Sequence, residues 1–109
     1  MLADLEADSR EVAPLRAVLE LAGRSAQLVQ HEARAWASGR FRGNRHLVAM
    51  TFRGRPAIEA ATSFMAILPS HRFALNGLSV IEACIAYSRF TPNPPSEMLV
   101  IADLLVLDD

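Results

Sequence analysis

Six of the eleven basic residues fall between positions 33 and 58, a stretch with no acid: Arg34, Arg40, Arg42, Arg45, Arg53 and Arg55. A guanidinium holds its charge at any physiological pH and offers a rigid fork of donors to carboxylates and phosphates. Trp36 lies among them. A basic β-ribbon carrying an aromatic can follow a nucleic-acid backbone and stack a base, so Arg34, Trp36, Arg40, Arg42, Arg45 and Arg53 form the candidate nucleic-acid or anion site. Two plainer readings compete with it. The segment can be a solvated hairpin whose charges discourage edge pairing. Alternatively, the chain's own acids, in the same or a neighbouring subunit, neutralise it. The whole chain carries 11 Arg, no Lys and 12 acids, for a net charge of −1. That balance speaks against nucleic acid, because domains that bind it are as a rule basic. The absence of Lys is read as GC-rich bacterial coding rather than as function.

Glu82 and Asp103 are the second candidate. In the hairpin derived below they are diagonal neighbours on one face. Two carboxylates close together in a partly apolar setting can share a proton and serve general acid–base chemistry. No nucleophile neighbours them in sequence, and the plainer reading pairs each with an Arg. Of the three histidines, His31 and His46 fall on one apolar face, without a nearby acid and not directly opposite each other. A metal site needs three or four ligands held by supporting hydrogen bonds, so none is expected. Cys84 is the only cysteine, which excludes an internal disulfide and a thiolate zinc cluster within one chain. Its apolar surroundings in sequence read as those of a small buried hydrophobe. The chain has no glycine-rich phosphate loop, no Gly-x-Ser-x-Gly elbow, no His-Glu-x-x-His and no dinucleotide fingerprint. No cofactor is expected, and a binding domain is favoured over an enzyme.

Several elements must position these residues. The 109 residues, 51% of them apolar, suffice for one domain with one core. Residues 1–9 read as a loose acidic terminus and residues 10–109 as the domain. Val12, Leu15, Val18, Leu19 and Ala22 fall on one helical stripe, with Ser9 as N-cap, Glu11 and Pro14 in the first turn, and Gly23 at the end. A second helix, 56–68, starts on Pro56 with Glu59 in its first turn, lines one side with Ile58, Ala61, Met65 and Leu68, and stops at Pro69. Residues 26–41 are compatible with helix or strand. Strand is preferred because Gly43-Asn44 makes a good hairpin turn. That turn sets Ala35 against Phe52 and Arg34 against Arg53, and collects Ala33, Ala35, Ala37, Phe41, Val48, Met50 and Phe52 on one face. Residues 78–90 and 97–107 read as a second hairpin around the Pro-rich loop 91–96. Its register sets Ile81, Ala83, Ile85 and Tyr87 against Val106, Leu104, Ala102 and Val100.

The expected fold is therefore α+β, in the order α-β-β-α-β-β, with a four-stranded antiparallel sheet packed with two helices. Such a sheet has surplus apolar surface. Val80, Leu99, Ile101, Leu105 and Leu107, on the second face of the C-terminal hairpin, are the expected oligomer interface, since monomers seldom leave a large apolar patch bare. A two-fold homodimer is the simplest solution. No apolar run reaches the length of a membrane span, and the acidic N-terminus lacks the basic start of a secretory signal. A small cytoplasmic protein of bacterial type, not a membrane protein, is the expectation.

Overall fold

Period-two alternation in the chain is realised as four long strands in one sheet. The computed structural model describes residues 2–109, with side chains from Val12 onward. Helix α1 spans Leu2–Ala22, β1 Ala26–Ser38, β2 Phe41–Arg53, α2 Arg55–Ile67, β3 Leu78–Thr91 and β4 Glu97–Asp108, with a 3-10 turn at Leu68–Ser70. The sheet order is β1-β2-β4-β3 and every neighbouring pair is antiparallel. The expected α+β fold and element order are thus observed. Since β2 and β3 both run antiparallel to β4, they are parallel to each other. Helix α2 links them across β4, which holds it against one face.

Both helices lie on that face. Val18 and Ala22 of α1, Ala57, Ala61 and Phe64 of α2, and Leu68 pack on Val48, Met50 and Phe52 of β2 and on Val100, Ala102, Leu104 and Val106 of β4. Burying each Val, Leu, Met or Phe side chain among these contributes on the order of 1.5–3 kcal/mol. Gly54, at φ 84°, takes the chain from β2 into α2, and Pro56 fits the first turn, where its missing N–H is no loss. In α1, Pro14 is interior rather than in the first turn, because the helix is drawn from Leu2 and not from residue 10. Its ring is fully buried, which offsets part of the roughly 3 kcal/mol an interior Pro costs. The side chains of Ser9 and Glu11 lie outside the described residues.

Three details of the sheet differ from expectation. The first hairpin turns at Gly39-Arg40, not at Gly43-Asn44: Ser38 pairs with Phe41, and Ala35 faces Asn44 instead of Phe52. Gly39 has φ 59° at the first central position, the glycine-demanding position of a II′ hairpin turn. An even slide keeps side-chain parity, so Val48, Met50 and Phe52 still point to the core. Phe41, at the turn, does not join them and is exposed. The second difference lies in β3, where bulges between Val80 and Glu82 and between Ile85 and Tyr87 shift the ladder. The expected pairs Ala83–Leu104 and Ile85–Ala102 form, but Val80 rather than Ile81 faces Val106, and Tyr87 faces Ile101. Third, Val80 packs against the core. It therefore leaves the expected interface set, because a bulge reverses the faces of the residues on its two sides relative to each other, and Val80 and the Glu82–Ile85 stretch lie on opposite sides of the first one.

Candidate functional site

The face of the sheet opposite the helices carries most of the residues the sequence singles out. Successive rows across β1, β2, β4 and β3 read Trp36–Gly43–Leu107–Ser79, Arg34–Arg45–Leu105–Glu82 and Glu32–Leu47–Asp103–Cys84. They continue as Gln30–Ala49–Ile101–Tyr87 and Gln27–Thr51–Leu99–Arg89, and end with Arg53–Glu97–Thr91 on the last three strands. Leu99, Ile101, Leu105 and Leu107 thus share one strand and one face, as expected of them. Among the described residues no helix covers them. A shallow hollow of about 80 Å³ opens here, lined by Gln30, Glu32, Leu47, Ala49 and Ile101.

Arg45 joins the two sequence candidates. Its Nη1 donates to Asp103 Oδ1 at 2.9 Å, and its Nη2 lies 3.7 Å from Glu82 Oε2. Glu82 and Asp103 are brought together on one face, and one guanidinium stands against both. That arrangement balances the carboxylates' mutual repulsion and occupies lone pairs an acid–base pair would need free. Asp103 is the better buried of the two, at 19% side-chain exposure against 66%. Charge-assisted hydrogen bonds of this kind are stronger than neutral ones, though the half-exposed guanidinium is screened by water. Asp103→Ala should therefore lower stability by roughly 1–2 kcal/mol in urea unfolding, and Glu82→Ala by under about 0.5 kcal/mol.

The arginines do not converge. Arg53 sits at the far end of the sheet, where its Nε donates to Glu97 Oε2 at 3.1 Å. Arg34 faces Arg45 across the strands instead of Arg53, and among the described residues its acid partner is Glu32 at 3.9 Å. Arg40 is in the turn, and Arg42 falls on the helix side of β2 beside Ala37. Among the described residues neither makes an ion pair. Trp36 stands opposite Gly43, half-buried although β1 is an edge strand. Cys84 is exposed, not buried, because β3 is the other edge and its side chain points away from the helices.

Sequence reasoning missed the histidine pair. With the turn at Gly39-Arg40, Ala33 faces His46 and His31 becomes its diagonal neighbour on the core side. His31 Nε2 and His46 Nδ1 are 2.9 Å apart, and the rings are stacked with an interplanar angle of 7°. One nitrogen must donate and the other accept, so the contact requires at least one neutral ring. His46 is fully buried, and its Nε2 has no hydrogen-bond partner among the described residues. Burial, and then the neighbouring His31, push its pKa down to about 4. The signal that finds this pair is the rival turn: Ser-Gly-Arg-Phe at 38–41 is a hairpin turn as acceptable as Gly43-Asn44. Among the described residues no three His, Cys, Asp or Glu side chains gather as a metal-binding group. No described helix is long and apolar enough to cross a membrane.

Comparison of the chain with protein-family models, curated proteins and solved structures finds no match.

Proposed function

We propose that this chain is a non-enzymatic, self-associating domain that forms a homodimer through the helix-free face of its sheet. One observation carries the reading: both helices pack on the same face, so among the described residues no element covers Leu47, Ala49, Leu99, Ile101 and Leu107. They are only partly buried by their sheet neighbours. A one-sided sheet normally shows polar residues to water, and the centre of this face is apolar. An unpaired exposed thiol, Cys84, suits a reducing compartment such as the cytoplasm.

The other readings find less support. The hollow on the face is smaller than the 300–1,000 Å³ usual for small-molecule sites, and Arg45 already engages Glu82 and Asp103. Arg45 and Arg53 direct their charge to the chain's own acids, which leaves a weaker electrostatic footprint for a phosphate backbone.

Sedimentation equilibrium at micromolar concentration tests the proposal. A mass twice that of the chain is expected, and a clean monomer overturns it. Ile101→Glu places a charge at the middle of the face, twice per dimer. It should weaken association about 100-fold or more while the circular dichroism of the folded chain persists. Retention of a labelled oligonucleotide at low salt, lost steeply as salt rises, would favour the nucleic-acid reading instead.

A further inference from the structure

The charges on the open face are arranged to complement a second copy of that face in one particular orientation. In the row Arg34–Arg45–Leu105–Glu82, the two basic residues stand on β1 and β2 and the acid on β3, at the opposite edge. The outermost members are also the least engaged. Arg34 is 77% exposed, with only Glu32 among the described acids within reach, at 3.9 Å, and Glu82 is 66% exposed, at 3.7 Å from Arg45. In the last row, Arg53 on β2 faces Glu97 on β4.

Two sheets stacked face to face by a two-fold axis have two simple choices of axis. An axis running along the strands between β2 and β4 keeps every row level and exchanges left for right. β1 of one copy then lies over β3 of the other, and β2 over β4. An axis across the strands lays each strand over its own copy and reverses the order of the rows. The first choice sets Arg34 over Glu82 and Arg53 over Glu97, and each pair occurs twice. It also sets Ala49 over Ile101 and Thr51 over Leu99 in the apolar centre. Centred on the apolar rows, the second choice sets Arg34 over Gln27, Arg45 over Thr51 and Asp103 over Ile101. It gains only Glu82 over Arg89 and leaves Arg34, Arg45 and Arg53 without an added acid, whereas the first leaves Arg45 and Arg89. Both lay Asp103 on an aliphatic side chain, Leu47 in the first and Ile101 in the second, so the number of ion pairs decides between them.

We infer that the homodimer is a face-to-face sandwich whose two-fold axis runs nearly along the strands between β2 and β4, with Arg34 of each copy paired to Glu82 of the other. Face-packed sheets sit about 10 Å apart, a gap that Arg and Glu side chains reaching from both sides can bridge. Twist sets aligned sheets about 30° apart, which an axis tilted by half that angle from the strands produces. The apolar centre supplies the association, while the edge charges favour this orientation by giving it more ion pairs than the alternative. This inference rests on the self-association proposed above.

Charge reversal separates the two. The measurement is the dimer dissociation constant of the full chain by sedimentation, for the wild type, for Arg34→Glu and Glu82→Arg, and for Glu82→Arg combined with Arg34→Glu or with Arg89→Glu. Thermal unfolding verifies that each variant is folded. Each single reversal creates two like-charge contacts and should weaken the dimer about 10-fold or more, and the combination with Arg34→Glu should restore it to near the wild-type value. A monomeric wild type overturns self-association and this geometry together. A dimer unmoved by either single reversal, or one in which Glu82→Arg is rescued by Arg89→Glu and not by Arg34→Glu, overturns the geometry alone.

Discussion

Gly43→Ala should destabilise the chain by about 3 kcal/mol or more, over half of the roughly 5 kcal/mol at the low end of the usual range of domain stability. Gly43 is fully enclosed in β2, between Trp36 on β1 and Leu107 on β4. A Cβ added there lies 2.0 Å from the carbonyl oxygen of Val106 and 2.7 Å from the Cα of Leu107. Both obstacles are backbone atoms of the central strand. No rotamer change relieves them, and the β2–β4 ladder itself must move. Gly39→Ala is the matched control. Nothing lies within 4 Å of a Cβ at that position, but its φ of 59° is left-handed, so the expected loss is only about 1 kcal/mol. Urea unfolding of the two variants beside the wild type measures the contrast. Equal losses would mean that close approach at Gly43 is not what the sheet depends on.

The second large effect is loss of stability in mild acid. His46 is held neutral in the folded chain, with its pKa lowered from 6.5 to about 4, first by burial and then by His31. Once unfolded, the ring takes up a proton near its ordinary pKa. Between about pH 6.5 and 4 the unfolded chain therefore binds more protons than the folded one, and stability rises with pH across that window. The contribution is fully present above pH 6.5. It falls by up to about 1.4 kcal/mol per pH unit below it, to a total on the order of 3 kcal/mol near pH 4. His46→Leu removes the titrating group. The difference in urea stability between the two chains should then change with this slope from pH 7 to pH 4. A difference that stays constant would show that His46 is not the proton-linked group.

What was legible in the sequence followed from local rules. Alternation with period two is a property of each strand by itself, so the faces of β2 and β4 were readable even with the wrong turn, because the slide from one turn to the other preserves parity. The stop at Pro69, the Pro-rich loop 91–96 and the apolar periodicity likewise marked elements from nearby residues alone. Diagonal placement of Glu82 and Asp103 was readable because both lie between the two bulges or opposite that stretch, where the ladder keeps the expected register.

The choice of turn was not local. Gly39-Arg40 and Gly43-Asn44 are both competent, and the longer ladder decides between them: turning at Gly39 pairs β1 from Ala26 to Ser38. It also places Gly43, the one glycine of β2, directly against the β4 backbone at Val106 and Leu107. The His31–His46 contact, the partners of the arginines and the exposure of Cys84 all follow from that register and from the strand order β1-β2-β4-β3. Bulges that move Val80 to the core and Tyr87 to the open face are responses of an edge strand to its neighbour, with no signature in β3 alone. The sequence by itself thus determined that this protein has two hairpins, two helices and more apolar sheet than the helices can cover. Only the tertiary structure decided which face is left bare and how its charges are ordered, because those depend on which strands meet, and strand pairing is a long-range choice that residue type and local spacing do not encode.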